Sequence, residues 1–185
     1  HTWDGISVGD PEGKRDGLYY NTIGGWHDAS DYLQYVTTSA NAVYQMLFAY
    51  TQYPESFADK YDANGNEGAN GIPDILDEAK WGLDWLVKMN PDKDTYFNQL
   101  ADDRDHVGMT IPSEQKVDYG WGAGNARPVY FCSPKPQGLR KYKNRSTGLA
   151  STLGKHASSF SLGSKVLAKY YPEFSQLIAQ KAKDA

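Results

Sequence analysis

The chain has 185 residues and a mass of 20.6 kDa, enough for one domain with a sizeable core or for part of a larger one. Charged residues make up 23% and the formal net charge is -4, so nothing builds the basic field that nucleic acid or an anionic membrane would require. The single Cys132 excludes an internal disulfide framework and a thiolate metal cluster, and no apolar run approaches the length of a membrane span.

Residues 1 to 25 are rich in Gly and Asp with no sustained period, which predicts loop with a short strand. "GGWHDASDY", Gly24 to Tyr32, then places Asp28 and Asp31 three residues apart in a run of glycine, aromatic and small residues. Such spacing sets two side chains on one side, able to face the same water or ion, and the glycines permit close approach of backbone to a ligand. The alternative is that one of the two aspartates caps the helix that follows. That helix begins at Val36, with Val36, Ala40, Val43, Leu47 and Tyr50 at helical spacing, and stops at Tyr53-Pro54.

"YDANGNEGANG" is a turn-rich loop. Its Asp62 to Asn66 resembles the start of a calcium loop, but there is no glycine at the sixth place and no Glu at the twelfth, so a solvated turn and no metal site is expected. Pro73, Asp74, Asp77 and Glu78 then open a second helix, where proline and negative charge suit the free N–H groups of a first turn. Ile75, Leu76, Ala79, Leu83 and Leu86 form its apolar stripe, and Asn90-Pro91 ends it.

From Pro91 to about Arg145 no helical period survives, yet the stretch carries Asp, His, Arg and Trp, so a long functional loop is expected to form a binding surface. Leu149, Leu153, Ala157, Phe160, Leu167 and Tyr170 mark a third helix running to Pro172, and "PEFSQLIAQKAKDA" starts a fourth. The short link predicts packed antiparallel helix pairs. With His1 at its start and no C-cap signal at its end, the chain reads as a piece of a larger domain. Asn144-Arg145-Ser146 has the pattern of a glycosylation sequon.

"GGWHDASDY", followed by a helix and by "NGIPDILDEAKWGLDWLVKM", resembles the N-terminal part of glycoside hydrolase family 9, the inverting endoglucanases and their relatives. The family motifs read G-G-W-[YH]-D-A-G-D-Y and I-P-D-I-L-D-E; this chain departs from the first at Ser30, which adds a hydroxyl and removes neither carboxylate. The resemblance continues through "DDRDH", "RPVYF" and the small-residue helix "STGLASTLGKHASSFSLGSKVL". It implies an all-α (α/α)6 barrel of which residues 1–185 supply the first helical hairpins and long loops, less than half of the catalytic domain.

The resemblance further implies hydrolysis of β-1,4-linked glucan, such as cellulose, mixed-linkage glucan or xyloglucan, with inversion and without a cofactor. Asp31 takes the place of the general base and Asp28 that of its partner on the attacking water. His106 matches a cleft histidine beside the cleaved sugar. Trp121, flanked by glycines in "YGWGAG", and Trp26 are the candidate sugar-contacting aromatics, each with a core role as the alternative. Asp105 and Arg104 are expected to hold the loop through a salt bridge.

The family's general acid, a Glu near the far end of the domain, has no counterpart among Glu55, Glu67, Glu78, Glu114 and Glu173, so the isolated chain is expected to be inactive. A β-glucan partner implies an extracellular or periplasmic location. Helix stripes left facing water are expected to make the chain marginally stable or self-associating. The competing reading is a non-catalytic glycan-binding or degenerate helical module.

Overall fold

The computed structural model describes residues 4–29, 31, 33–105, 109, 111, 114, 116–133 and 148–185. Helix α1 (Val36–Gln52) and helix α2 (Asp74–Lys88) fall where apolar spacing places them, with Val36, Ala40, Val43 and Leu47 of the first and Leu76, Ala79, Leu83 and Leu86 of the second all buried. Asp74 and Asp77 stand in the first turn of α2 and Lys88 in its last, each with the sign the helix dipole favours. Between the helices, the Asp62 carboxylate accepts from the backbone of Asn64 and Asn66 and from the Asn66 amide, so it is engaged by its own exposed turn.

Helix α3 (Leu149–Val166) packs on α1 and α2, and α4 (Pro172–Asp184) folds back on α3 through residues 167–171. The buried face of α3 is not the predicted leucine stripe. Thr152, His156, Ser159, Phe160 and Gly163 are buried, while Leu149 is exposed and Leu153 only half-buried. Small residues are needed because the helices cross closely: a β-carbon at Gly163 would lie 2.8 Å from Leu83 and 3.1 Å from Ile178.

The expectation of an all-α chain is corrected by a five-stranded mixed sheet made of β1 (Gly5–Val8), β2 (Tyr19–Tyr20), β3 (Gln34–Tyr35), β4 (Phe97–Leu100) and β5 (Arg127–Phe131). Its order is β2-β1-β5-β4-β3, with β1 and β5 parallel and the other pairs antiparallel. Part of the stretch expected to be one long loop is therefore strand. The strands hide from a period-2 search because β4 and β5 are buried on both faces, a register shift breaks β4 near Phe97 and Gln99, and Pro128 interrupts β5.

One core unites the four helices with Phe97, Leu100, Val129 and Phe131 of the sheet. The expected exposure of the helix stripes does not occur on α1 and α2, which helices and sheet bury against one another, whereas Leu149 of α3 is exposed and Leu153 half-buried. Tyr44 and Phe48 of α1, stacked on each other, and Trp81 of α2 are among the exposed large apolar side chains. A second, smaller core of Leu33, Ala101 and Tyr119, with Tyr35 and Val117 against it, lies under the segment that carries the aspartate pair.

Candidate active site

The segment from Ile23 to Leu33 is mounted on one face of α2. Lys88 Nζ donates to the Ile23 carbonyl at 2.5 Å, Trp81 Nε1 to the Gly25 carbonyl at 3.2 Å, and Glu78 accepts from Trp26 Nε1 at 2.6 Å. Residues 78, 81, 85 and 88 recur every three or four positions and so line one side of the helix. Trp85, the fourth of them, packs beneath Gly25, where a β-carbon would lie 2.6 Å from Cγ of its ring. Gly25 also has φ +66, so the turn requires glycine twice over, by conformation and by space.

The turn closes on itself beyond Trp26. The Asp28 amide donates to the Leu33 carbonyl at 2.8 Å, and the Leu33 amide donates to Asp31 Oδ1 at 3.2 Å. Asp28 is exposed and Asp31 buried, so the two carboxylates, three residues apart, meet different surroundings. Neither caps α1: its N-cap is Tyr35, with no side-chain cap hydrogen bond. Trp26, His27 and Asp28 join Thr38, Ser39 and Ala42 around an open depression of about 230 Å³.

The electrostatics agree with this crowding of acids. Burial, then the charges of Asp28, Asp31 and Asp103, pushes the Tyr35 phenol well above its ordinary range. Burial, then the positive Arg127, holds the half-buried His27 below the usual imidazole value, against the opposing pull of Asp31.

After β4 the chain enters the Asp102–Asp105 turn, where the Asp105 amide donates to the Asp102 carbonyl at 2.9 Å. Asp102 is fully buried and accepts from Arg104 Nη2 at 2.6 Å, Arg104 Nε at 2.9 Å and the Tyr130 hydroxyl at 2.6 Å. Burial pushes its carboxyl up, but the bonds from Arg104 and Tyr130 outweigh that and hold it below the usual carboxylate range. The expected salt bridge of Arg104 thus exists, with Asp102 as its partner, and Arg104 Nη1 also reaches the Tyr119 carbonyl at 3.0 Å. Ala101, which starts this turn, holds φ +65 while fully buried.

Of the sequence-predicted site residues, Asp28, Asp31 and Trp26 share the one turn. Trp121 sits on a separate turn, where Asp118 Oδ1 accepts from the amides of Gly120 and Gly122, and the residue is 36% exposed. Its neighbour Tyr119 packs with Leu33, which links that turn to the aspartate segment. His106 and the sequon at Asn144 to Ser146 lie outside the described residues. Trp26 also borders a larger cavity of about 670 Å³, shared with Tyr61, Asp62, Asp74, Glu78 and Trp81, which does not include the aspartate pair. Glu78, Trp81 and Lys88 hold the Ile23 to Trp26 stretch, a support that motif reading did not assign to them; their shared face on α2, apart from its leucine stripe, was the available signal.

Residues 2–185 match the family model described as glycosyl hydrolase family 9. The chain is 29% identical over 165 residues to Endoglucanase C of Cellulomonas fimi, covering 86% of this chain and 13% of that protein. It is 26% identical over 182 residues to Endoglucanase 6 of Arabidopsis thaliana, covering 98% of this chain and 24% of that protein. The crystal structure of a metagenome-derived glycoside hydrolase family 9 endoglucanase superposes on the whole chain with a TM-score of 0.69 at 30% identity, over 29% of its own length. The chain therefore spans less than a third of each of these proteins.

Proposed function

The chain belongs to glycosyl hydrolase family 9, and on that premise we propose that residues 1–185 supply the base side of an inverting hydrolase of β-1,4-glucans. Asp31 is the general base that takes a proton from the attacking water, and Asp28 orients that water. The observation that carries this reading is the Asp28–Leu33 turn, which sets an exposed carboxylate next to a buried one, leaves α1 uncapped by either, and is fixed to α2 through three side chains of that helix.

Inversion needs a second carboxyl group across the sugar, roughly 6.5–9.5 Å from the base, to protonate the leaving oxygen while water attacks the opposite face. That acid belongs to a segment outside residues 1–185. Trp26, Trp121 and His106 are assigned to the sugar, and cellulose, mixed-linkage glucan and xyloglucan are the substrate class. A polymer of this size implies an extracellular or periplasmic site of action.

The test is the anomer first released from a cello-oligosaccharide, followed by proton NMR, using a polypeptide that carries these residues within the whole catalytic domain. The α-anomer is expected first. Release of the β-anomer first would mean a covalent, retaining route and would remove the base role from Asp31.

A further inference from the structure

Arg127 is wholly buried in β5, the central strand of the sheet, and its Nη1 donates to Gln34 Oε1 at 2.8 Å. A guanidinium has no acceptor, so the Gln34 side-chain oxygen must face it and the amide nitrogen must face away. That nitrogen donates to the Gly24 carbonyl at 2.8 Å. Gln34 is itself buried, follows the Leu33 that binds Asp31, and pairs through β3 with Leu100 of β4. It therefore joins the two ends of the turn that carries Asp28 and Asp31, and the hypothetical β-carbon of Gly25 lies only 2.9 Å from its nitrogen.

We propose that Arg127 is a positioning residue for the general base. It fixes the rotamer and donor direction of Gln34, and Gln34 fixes Gly24 relative to Leu33, so the spacing of the two aspartates is referred to the centre of the sheet. Two hydrogen bonds in series from a buried cation polarise one another and stiffen the relay. Arg127 touches neither substrate nor water in this assignment. The inference rests on the reading that Asp31 is the base.

The test compares Gln34→Glu, Arg127→Lys and Asp31→Ala, each in a polypeptide spanning the whole catalytic domain. Gln34→Glu keeps an acceptor for Arg127 but has no donor for the Gly24 carbonyl, so the relay breaks at its second bond. Arg127→Lys keeps the buried charge and loses the planar fork. Gln34→Glu is expected to lower kcat on a cello-oligosaccharide about 10–100-fold with KM within about 2-fold, as a displaced reacting group does. Arg127→Lys, which keeps the charge, is expected to lower kcat in the same way by a smaller factor.

Amide hydrogen exchange at Asp28, whose N–H binds the Leu33 carbonyl, is expected to quicken in Gln34→Glu under conditions where circular dichroism is unchanged. Wild-type kcat in both folded variants overturns the inference. Loss of the fold in both also overturns it, since the pair would then serve the core alone. If Asp31→Ala turns over like the wild type, it is the base assignment that fails; if Asp31→Ala is inactive while the other two are wild type, only the role of Arg127 fails.

Discussion

Replacing Gly82 with alanine sets two effects of opposite sign against each other. Alanine is favoured over glycine in a helix interior by about 1 kcal/mol, so by propensity alone Gly82→Ala should stabilise α2. The packing opposes this: the new methyl would lie 2.3 Å from Cη2 of Trp26 and 2.6 Å from Cγ2 of Val43. Forcing a methyl into a filled site costs about 1–3 kcal/mol. Val43 is fully buried on α1 and cannot retreat, so Trp26 must move and release its bond to Glu78. A hydrogen bond to a charged group is worth about 1.5–3 kcal/mol. The net is a loss of about 2–4 kcal/mol, which for a chain of this length lowers Tm by roughly 5–15 °C. Thermal unfolding followed by circular dichroism reads the change, and fluorescence reports whether the Trp26 environment shifts with it. An unchanged or raised Tm would show that Trp26 is not wedged against Gly82 and that the turn is not mounted on α2 as described.

His156 is fully buried against Tyr96 and Phe160, and neither ring nitrogen has a hydrogen-bond partner among the described residues. Burial, then the charge of Lys181, lowers its pKa to about 3 from 6.5. The folded state thus binds fewer protons than the unfolded one between those values; its stability is fully present above pH 6.5 and falls by about 1.4 kcal/mol per unit as pH drops toward 3. Urea titrations across that range should show this slope in the wild type and lose it in His156→Leu; an equal slope in both would contradict the assignment. Asp102→Ala removes the acceptor of Arg104 and Tyr130 and is expected to cost about 3–5 kcal/mol by leaving a buried donor and an unpaired cation, again measured in urea; a loss under 1 kcal/mol would refute it. Tyr44 and Phe48 stack on each other on the exposed side of α1, so the 185-residue chain is expected to self-associate in sedimentation velocity, and Phe48→Lys to reduce it; a wild type that stays monomeric at every concentration would contradict this.

The helices were legible because their apolar spacing is a local property. Val36 to Leu47 and Leu76 to Leu86 repeat at helical period and are buried at that period. The sheet was not legible, because its strands are two to five residues long and β4 and β5 are buried on both faces, with Asn98, Gln99 and Arg127 among the buried side chains. The aspartate pair could be read from its motif. Its support could not: Trp26 meets Glu78 across 52 positions and Gln34 meets Arg127 across 93, and no local pattern encodes contacts at that separation. The face predicted for the third helix is buried at Phe160 and Leu167 but not at Leu149 and Leu153, for a related reason. Close crossing with α2 and α4 selects Ser159 and Gly163 for size, which a hydrophobicity pattern cannot register.

Kinetics of Asp31→Ala in a polypeptide spanning the whole catalytic domain test whether Asp31 accepts the proton of the attacking water. A positioned general base contributes about 10²–10⁴-fold to rate, and it acts in the transition state rather than on bound sugar. The account therefore predicts a fall in kcat of about that size, while cello-oligosaccharide affinity measured by calorimetry stays within a few-fold of wild type. Wild-type turnover in Asp31→Ala, with the loss appearing in Asp28→Ala alone, would contradict it and exchange the roles of the two carboxylates.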